Sequence, residues 1–266
     1  MRNRKRRQQY KRFVVEGVRP ITQMLAHNWT VEGWVYTSER RLSQWAQDTI
    51  AAAADAEHYV LTAALMDEIS DKENGSELLA VAAIPEDSLG RLPFPVRRDD
   101  TKNPSEPPLL VLLDRPANPG NIGSIIRSCD SFRVHGIVMT GHSADPYDPQ
   151  CVRSSVGSLF SIPVVRQGSP ADLEPWLLEM RRAYPTFQVI GTTARTNRPL
   201  SQVDFKQPTL LLIGNETVGL SRTLKDSADQ LVRIPIHGTA SSLNVACAAS
   251  ISLYEADQQR LHAGRR

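Results

Sequence analysis

Six apolar runs occupy the second half of the chain: LLVLLD (109–114), GIVMT (136–140), IPVV (162–165), FQVIG (187–191), TLLLIG (209–214) and VRIPI (232–236). A strand apolar on successive residues has no face left for water, so it belongs in a sheet covered on both sides. Helical segments such as NIGSIIRSCDSF and PADLEPWLLEMRRAY separate the runs. Strands alternating with helices predict a parallel sheet. In such sheets, ligands sit beyond the carboxyl ends of the strands. Chemistry is therefore expected in the loops after 114, 214 and 236.

The first half follows a smaller pattern. FVVEG, VEGWVYT (31–37), HYVLT and ELLAVAAI read as strands; RPITQMLAH, SERRLSQWAQDTIAAAAD and AALMDEISD read as helices, with Ser38 as the cap of the second. This predicts a small α/β/α sandwich. The charged, proline-rich stretch VRRDDTKNPSEPP reads as a linker. The expected domains are residues 1–95, a linker at 96–107, and 108–266.

A chain of 266 residues, 41% hydrophobic and 23% charged, has the composition of a globular protein. No run approaches the roughly 20 apolar residues needed to span a bilayer, so no membrane partner is expected. The basic N-terminal residues are not followed by an apolar stretch, so no secretory leader is expected. Cys129, Cys151 and Cys247 are odd in number and lack CxxC spacing, which reads as buried thiols in a reducing cytoplasm. The histidines (27, 58, 135, 142, 237 and 262) are scattered, and no metal site is implied. Net charge is only +2, yet Arg2, Arg4, Lys5, Arg6, Arg7, Lys11 and Arg12 crowd the first twelve residues. Such a run either neutralises nucleic-acid phosphates or is a solvated tail. Trp29, Trp34 and Trp45 read as core rather than as base-stacking platforms.

Three loops carry the remaining signal. DRPANPGNIGSIIRS lacks both the GxGxxG fingerprint and the Lys-Ser/Thr of a P-loop. Its Asn121 is placed to cap a helix, and Arg127 stands six residues further on. IGNETVGLS brackets Asn215 and Glu216 with Gly214 and Gly219, so a backbone approaches something closely there. IPIHGTASSLNVACAASISLYE moves from a strand end through a polar turn to a helix of small residues, with Ser242 and Asn244 at the helix start.

In this order the three loops resemble the three motifs of the SpoU/TrmH family of SPOUT methyltransferases, over about residues 108–258. Asn121, Gly123 and Arg127 match the first motif, GNETVGL the second, and IPIHGTASSLNVACAAS the third. RFVVEGVRPITQML is similar to the opening of the family's RNA-binding module, an α/β/α fold. The resemblance implies a C-terminal parallel sheet with a deep trefoil knot, a homodimer, and transfer of a methyl group from S-adenosylmethionine to a ribose 2′-hydroxyl of RNA. Ribosomal RNA is the expected substrate, because the appended module is commoner in such enzymes; some relatives methylate it to confer antibiotic resistance. The cofactor is expected against Thr192, Thr193, Gly214, Ile234, Ile236, Leu243 and Asn244. Arg127 is the expected catalytic residue, supported by Asn121, Glu216, Ser242 and Asn244. A guanidinium stays protonated, so Arg127 is read as binding phosphate and stabilising the developing alkoxide, with Asn121 and Glu216 positioning Arg127 and the loops. Arg4, Lys5, Arg6, Arg7, Lys11 and Arg12 are expected to bind RNA. Other readings are a tRNA 2′-O-methyltransferase, a non-catalytic RNA-binding or ribosome-assembly protein on the same fold, and a conventional Rossmann enzyme. The last requires a GxGxxG turn followed by an acid about 20 residues on, and neither is present in that context.

Overall fold

The computed structural model describes residues 3–70, 75–93 and 107–263. Residues 96–106 of the expected linker, and Arg2 of the basic run, lie outside the described residues. The chain divides into two compact units. The first comprises Met1–Pro85 with Asp145–Ser161, and the second Glu86–Ala144 with Ile162–Arg266.

The first unit opens on helix α1 (Arg4–Tyr10), then runs β1 (Arg12–Glu16), α2 (Val18–Ala26), β2 (Val31–Thr37), α3 (Gln44–Ala52), β3 (Glu57–Leu61), α4 (Ala63–Ile69) and β4 (Leu78–Ala83). Its four strands lie in the order β1-β4-β2-β3, antiparallel except for the β2–β3 pair. Alternation along β1 buries Phe13 and Val15 on one face. On the other face, Val35, Met66 and Leu79 form a small core beneath α4. Ser38 is not the cap of α3. Ser43 fills that place, its Oγ accepting from the Ala46 N–H at 3.2 Å, while Arg40 just upstream is drawn to the Asp67 carboxylate. Trp34 is buried as expected, and Trp29 donates its indole N–H to the Phe160 carbonyl.

The second unit begins with β5 (Leu109–Asp114), α5 (Pro119–Ser131) and β6 (Gly136–Thr140). The chain then contributes α6 (Pro149–Ser155) and a turn of 3₁₀ helix at Ser158–Phe160 to the first unit. It continues with β7 (Val164–Gln167), α7 (Glu174–Ala183), β8 (Gln188–Thr192), β9 (Thr209–Ile213), α8 (Arg222–Ser227), β10 (Gln230–Val232) and α9 (Val245–Ala263). The six strands form one wholly parallel sheet in the order β10-β8-β9-β5-β6-β7. β5, β6 and β9 are buried at every residue. Trp176 and Met180 of α7 and Leu224 of α8 close one side of the sheet over Leu110, Leu112, Leu210 and Leu212. Each such side chain contributes about 1.5–3 kcal/mol by leaving water. On α5 and α9, the Ser128 and Ser250 hydroxyls lie 2.8 Å apart, and the Phe132 and Tyr254 rings meet edge to face.

The last predicted strand, VRIPI, starts and ends earlier than expected. Pairing covers Gln230–Val232 with one further bridge at Arg233, because Pro235 has no N–H to continue a ladder. The order of the strands places the ends of β5 and β9 side by side. From β5 the chain moves outward through β6 and β7 on one side. It re-enters on the other at β8, steps inward to β9, and leaves β9 for the edge strand β10, so the connections after β5 and β9 run in opposite directions. This is the topological switch point at which open α/β sheets bind ligands.

The basic N-terminal run is helical rather than a tail. Its Arg7 is 1% exposed and cannot present itself to RNA phosphates. Its Nε donates to Asp145 Oδ2 at 2.9 Å and its Nη2 to Asp148 Oδ2 at 3.1 Å, which fastens α1 to the segment carrying α6. Removing one partner of a buried pair of this kind costs about 3–5 kcal/mol. Arg12 is ion-paired with Glu32, whereas Arg4, Lys5, Arg6 and Lys11 are exposed.

Candidate active site

The site is assembled at the adjoining ends of β5 and β9. Asp114 ends β5 fully buried, its carboxylate gripped by Nε and Nη2 of Arg115 at 2.9 and 3.0 Å and by the Ser221 N–H at 2.6 Å. Arg115 Nη2 also donates to the Gly219 carbonyl, and the Asn215 amide donates to the Arg115 carbonyl at 2.7 Å. Asn215 Oδ1 in turn accepts from the Thr217 and Val218 N–H groups. The GNETVG loop is therefore closed on itself and tied to the end of β5.

The second tie is the carboxylate of Glu216. It accepts from the backbone N–H groups of Ala117 and Asn118 at 3.1 and 3.3 Å and from the side-chain amide of Asn121 at 3.3 Å. Partial burial pushes its pKa up. Its own backbone N–H, that of Ala117, the Asn121 amide and the Asn118 N–H together outweigh this and hold the carboxyl below its usual range. An anion at the start of a helix also meets the positive end of the helix dipole.

The cap of α5 is not Asn121 but Asn118, whose side chain accepts from the Asn121 N–H at 3.0 Å, with Pro119 at the first helical position. That frees the Asn121 side chain to reach elsewhere. Its Oδ1 accepts from Asn244 Nδ2 at 3.3 Å, and Asn244 Oδ1 accepts from the Ala246 and Cys247 N–H groups at the start of α9. A run of hydrogen bonds, Glu216–Asn121–Asn244, thus joins the three loops that the sequence singled out.

A pocket opens where the loops after β8, β9 and β10 converge. Thr192, Thr193, Gly214, Ile234, Ile236, Leu243 and Ser242 line it, as does Glu216. Of the expected cofactor residues, Asn244 alone is not in its wall; it caps the helix whose Val245 and Ala248 are. The Thr192 hydroxyl donates to the Leu212 carbonyl and the Thr193 N–H to the Val232 carbonyl, so both anchor the pocket to the sheet. Gly214 has no room for a side chain: a Cβ there would lie 2.5 Å from Gly219 C and Leu220 N. Gly219 turns back with φ +70°.

The pocket suits an adenosine-type ligand on two counts. Its walls at Ile213, Val232, Ile234, Ile236 and Leu243 are apolar, which fits a planar base. Among the described residues, the backbone groups of 234–243 make no hydrogen bond. Of these, Ile234, Ile236, Ser242 and Leu243 line the pocket, so their main-chain groups are free to read the edge of a ligand.

Arg127 lies nearly two turns along α5 from Asn121 and is exposed, with no side-chain partner among the described residues. Asn121 and Glu216, expected to position Arg127 and the loops, tie the loops together; among the described residues neither makes a hydrogen bond to Arg127. Cys129 and Cys151 are buried, and burial pushes both thiols far above their usual range; Cys247 is exposed, where a buried thiol was expected. Among the described residues, no cluster of three His, Cys, Asp or Glu side chains could hold a metal, and no helix is long and apolar enough to cross a membrane. The sequence reading missed Asp114 and Arg115, and marked Asn215 without giving it a role. The available signal was an acid closing an otherwise wholly apolar strand, which in such a position must be paired.

Fold and site together define an α/β enzyme that receives its ligand beyond the carboxyl ends of a parallel sheet. The model of the SpoU rRNA methylase family matches residues 108–254, and that of the SpoU L30e-like domain matches residues 1–80. The 23S rRNA (uridine(2479)-2′-O)-methyltransferase of Streptomyces viridochromogenes is 44% identical over 260 residues, covering 97% of this chain and 87% of that protein. The crystal structure of the SpoU methyltransferase AviRb from the same organism, in complex with AdoMet, matches with TM-score 0.85 and 43% identity, covering 98% of this chain and 95% of that one. AdoMet-bound rRNA methyltransferase from Sinorhizobium meliloti matches with TM-score 0.82 and 29% identity, over 97% and 91% of the two chains. The chain belongs to the SpoU methylase family.

Proposed function

We propose that this protein transfers a methyl group from S-adenosylmethionine to a ribose 2′-hydroxyl of 23S ribosomal RNA. The observation that carries this reading is the Glu216–Asn121–Asn244 run, which draws all three family motifs around one pocket with apolar walls and free main-chain groups. When bound, S-adenosylmethionine supplies a methyl group activated by attachment to a sulfonium.

The protein's own task is to bring a weak nucleophile into line and to stabilise the charge it develops. Thr192, Thr193, Gly214, Ile234, Ile236 and Leu243 hold the cofactor. Ser242, at the pocket wall, and Asn244 beside it would support the methionine end of the cofactor or the RNA. Arg127 binds a phosphate beside the target ribose, and its fixed positive charge favours the alkoxide as the hydroxyl proton leaves. Glu216, Asn121 and Asn244 act as positioning residues, keeping the α5 and α9 ends in register with the pocket. The first unit docks the RNA, with Arg4, Lys5, Arg6 and Lys11 contributing to phosphate neutralisation.

The active form is a cytoplasmic homodimer, and the C-terminal segment from Phe187 onward is knotted. Supporting the dimer, α9 carries opposed stripes. Ala249, Leu253 and Ala256 are buried, while Cys247, Ile251, Tyr254 and Leu261 align on the other face, with Ile251 42% and Tyr254 54% exposed. Although Tyr254 touches the Phe132 ring, it and Ile251 remain largely exposed, and an exposed apolar stripe on a helix calls for a partner. An Ile251→Arg, Tyr254→Arg double variant is expected to sediment as a monomer at concentrations where the unaltered protein is a dimer; equal sedimentation of the two would refute the assignment of this face.

The reaction itself is tested by incubating the protein and methyl-labelled S-adenosylmethionine with ribosomal RNA, naked and assembled, and with tRNA. Label is expected in ribosomal RNA, within a dinucleotide that resists alkaline cleavage because its 2′-oxygen is blocked. Cofactor binding without transfer to any RNA would instead establish a non-catalytic protein on this fold.

A further inference from the structure

Among the described residues, seven of the twelve arginines of the second unit have a partner. Arg115 is held by Asp114, Arg166 by Asp87, Arg181 by Asp229, and Arg260 by the carbonyls of Phe205 and Pro108; Arg91 donates to the Val164 carbonyl. Arg127, Arg182, Arg195, Arg198 and Arg233 break this pattern, and the last three fall together in the fold. All three are exposed, and among the described residues none has a side-chain hydrogen bond or ion pair.

These three residues share a location. The Arg195 N–H is fixed by Thr193 Oγ1 at 3.2 Å, one residue beyond the pocket-lining Ala194. The Arg233 N–H donates to the Arg198 carbonyl at 2.9 Å, and the Leu200 N–H donates to the Arg233 carbonyl at 2.8 Å. Arg233 itself stands between the pocket residues Val232 and Ile234. Three cations are therefore gathered on two hydrogen-bonded stretches at the rim of the pocket.

Acids of the same unit are engaged with other partners, Glu216 of the pocket wall with the Ala117 and Asn118 N–H groups and the Asn121 amide. Asp204 bonds the Lys206 N–H and the Gln207 amide, and Asp229 bonds Arg181 and the Val189 N–H. Gathering like charges without a counter-charge is unfavourable in the free protein. The arrangement makes physical sense when a polyanion supplies the counter-charge.

We infer that Arg195, Arg198 and Arg233 form a phosphate-binding rim on the catalytic unit, which seats the RNA backbone next to the target ribose. The rim is separate from the basic residues of α1 and acts at the point of reaction, where fixing the backbone fixes the distance from ribose to methyl donor. A guanidinium suits this task because its planar donor fork matches two phosphate oxygens. This inference rests on the reading of the protein as an RNA methyltransferase, and deepens it.

The test is the triple variant Arg195→Gln, Arg198→Gln, Arg233→Gln in the full chain. Relative to the unaltered protein, KM for ribosomal RNA is expected to rise about 10–100-fold, and the dependence of log Kd on log salt to flatten by roughly two to three phosphate contacts. The Kd for S-adenosylmethionine is expected to stay within about twofold, because none of the three lines the pocket; this also reports folding. The triple lysine variant keeps the charge and is expected to recover most of the salt slope. A second triple, Arg182→Gln, Arg222→Gln, Lys225→Gln, removes equal charge from α7 and α8 and is expected to leave KM near its original value. An unchanged KM and salt slope in the rim variant, or an equal loss in the α7–α8 variant, overturns the rim. If the unaltered protein binds S-adenosylmethionine but neither methylates RNA nor binds it in a salt-dependent way, the reading of the function fails instead.

Discussion

Arg127→Ala is expected to lower kcat about 10²–10³-fold while leaving the melting temperature and the affinity for S-adenosylmethionine almost unchanged. The two halves of this expectation have separate physical grounds. Donors aimed at developing negative charge commonly contribute this much to a transition state. Stability should not respond, because the Arg127 side chain is exposed and has no partner among the described residues; exposed substitutions of this kind stay within about 0.5 kcal/mol. Arg127→Lys separates charge from shape. Lysine keeps the positive charge but not the planar fork that grips phosphate at two points, so it is expected to recover no more than about a tenth of the lost rate. Near-normal turnover in the lysine variant, measured at saturating RNA and cofactor, would exclude a role for the fork. Loss of cofactor affinity in the alanine variant would place Arg127 in the pocket instead of facing the RNA.

The legibility of the fold differed between the two units for a physical reason. β5, β6 and β9 are buried at every residue, so their apolar runs could be read with little ambiguity. Helix starts were less legible. SERRLS offers two serines, and only tertiary contacts decide between them: Ser43 is fixed by both carboxylate oxygens of Glu77 as well as by its capping bond. The grouping of residues 145–161 with the N-terminal unit was not legible. Residues 145–161 sit within the stretch matched to the catalytic family, yet they pack with the N-terminal unit through Arg7 and through the Phe13, Trp29, Tyr147 and Phe160 rings. No local pattern in α6 announces a partner that far away in sequence.

The site was legible as a set of loops, and illegible as a set of contacts. Asn121, Glu216 and Asn244 were all marked, but what each touches depends on the order of strands in the sheet. Placing β9 beside β5 puts Glu216 under the start of α5, and α9 brings Asn244 to Asn121. The same arrangement explains why Arg127 has no link to Glu216. A side chain six residues further along the helix is rotated onto another face, so the acid that closes the loops cannot also hold the arginine.

Gly214→Ala is expected to cost more than its one added methyl group suggests. The new Cβ would lie 2.5 Å from Gly219 C and Leu220 N, and 2.8 Å from Gly219 Cα. All three are backbone atoms, so no rotamer change relieves the contact. The loop must open, and this loop carries the paired hydrogen bonds between Asn215 and Gly219 at 3.2 and 3.0 Å. Glu216, which lies between those residues, would then lose its geometry toward Ala117 and Asn118. Overpacking of this kind costs about 1–3 kcal/mol, which in a chain of this size corresponds to a fall of several degrees in melting temperature. Because Gly214 also lines the pocket, the Kd for S-adenosylmethionine is expected to rise at least about tenfold, measured by calorimetry. Gly238→Ala is the matched control: it lies in the loop between β10 and α9, and a Cβ there would meet nothing within 4 Å. Its melting temperature is expected to equal that of the unaltered protein. A Gly214→Ala protein that melts normally and binds the cofactor with undiminished affinity would show that the turn does not need the close approach of Gly214 to Gly219.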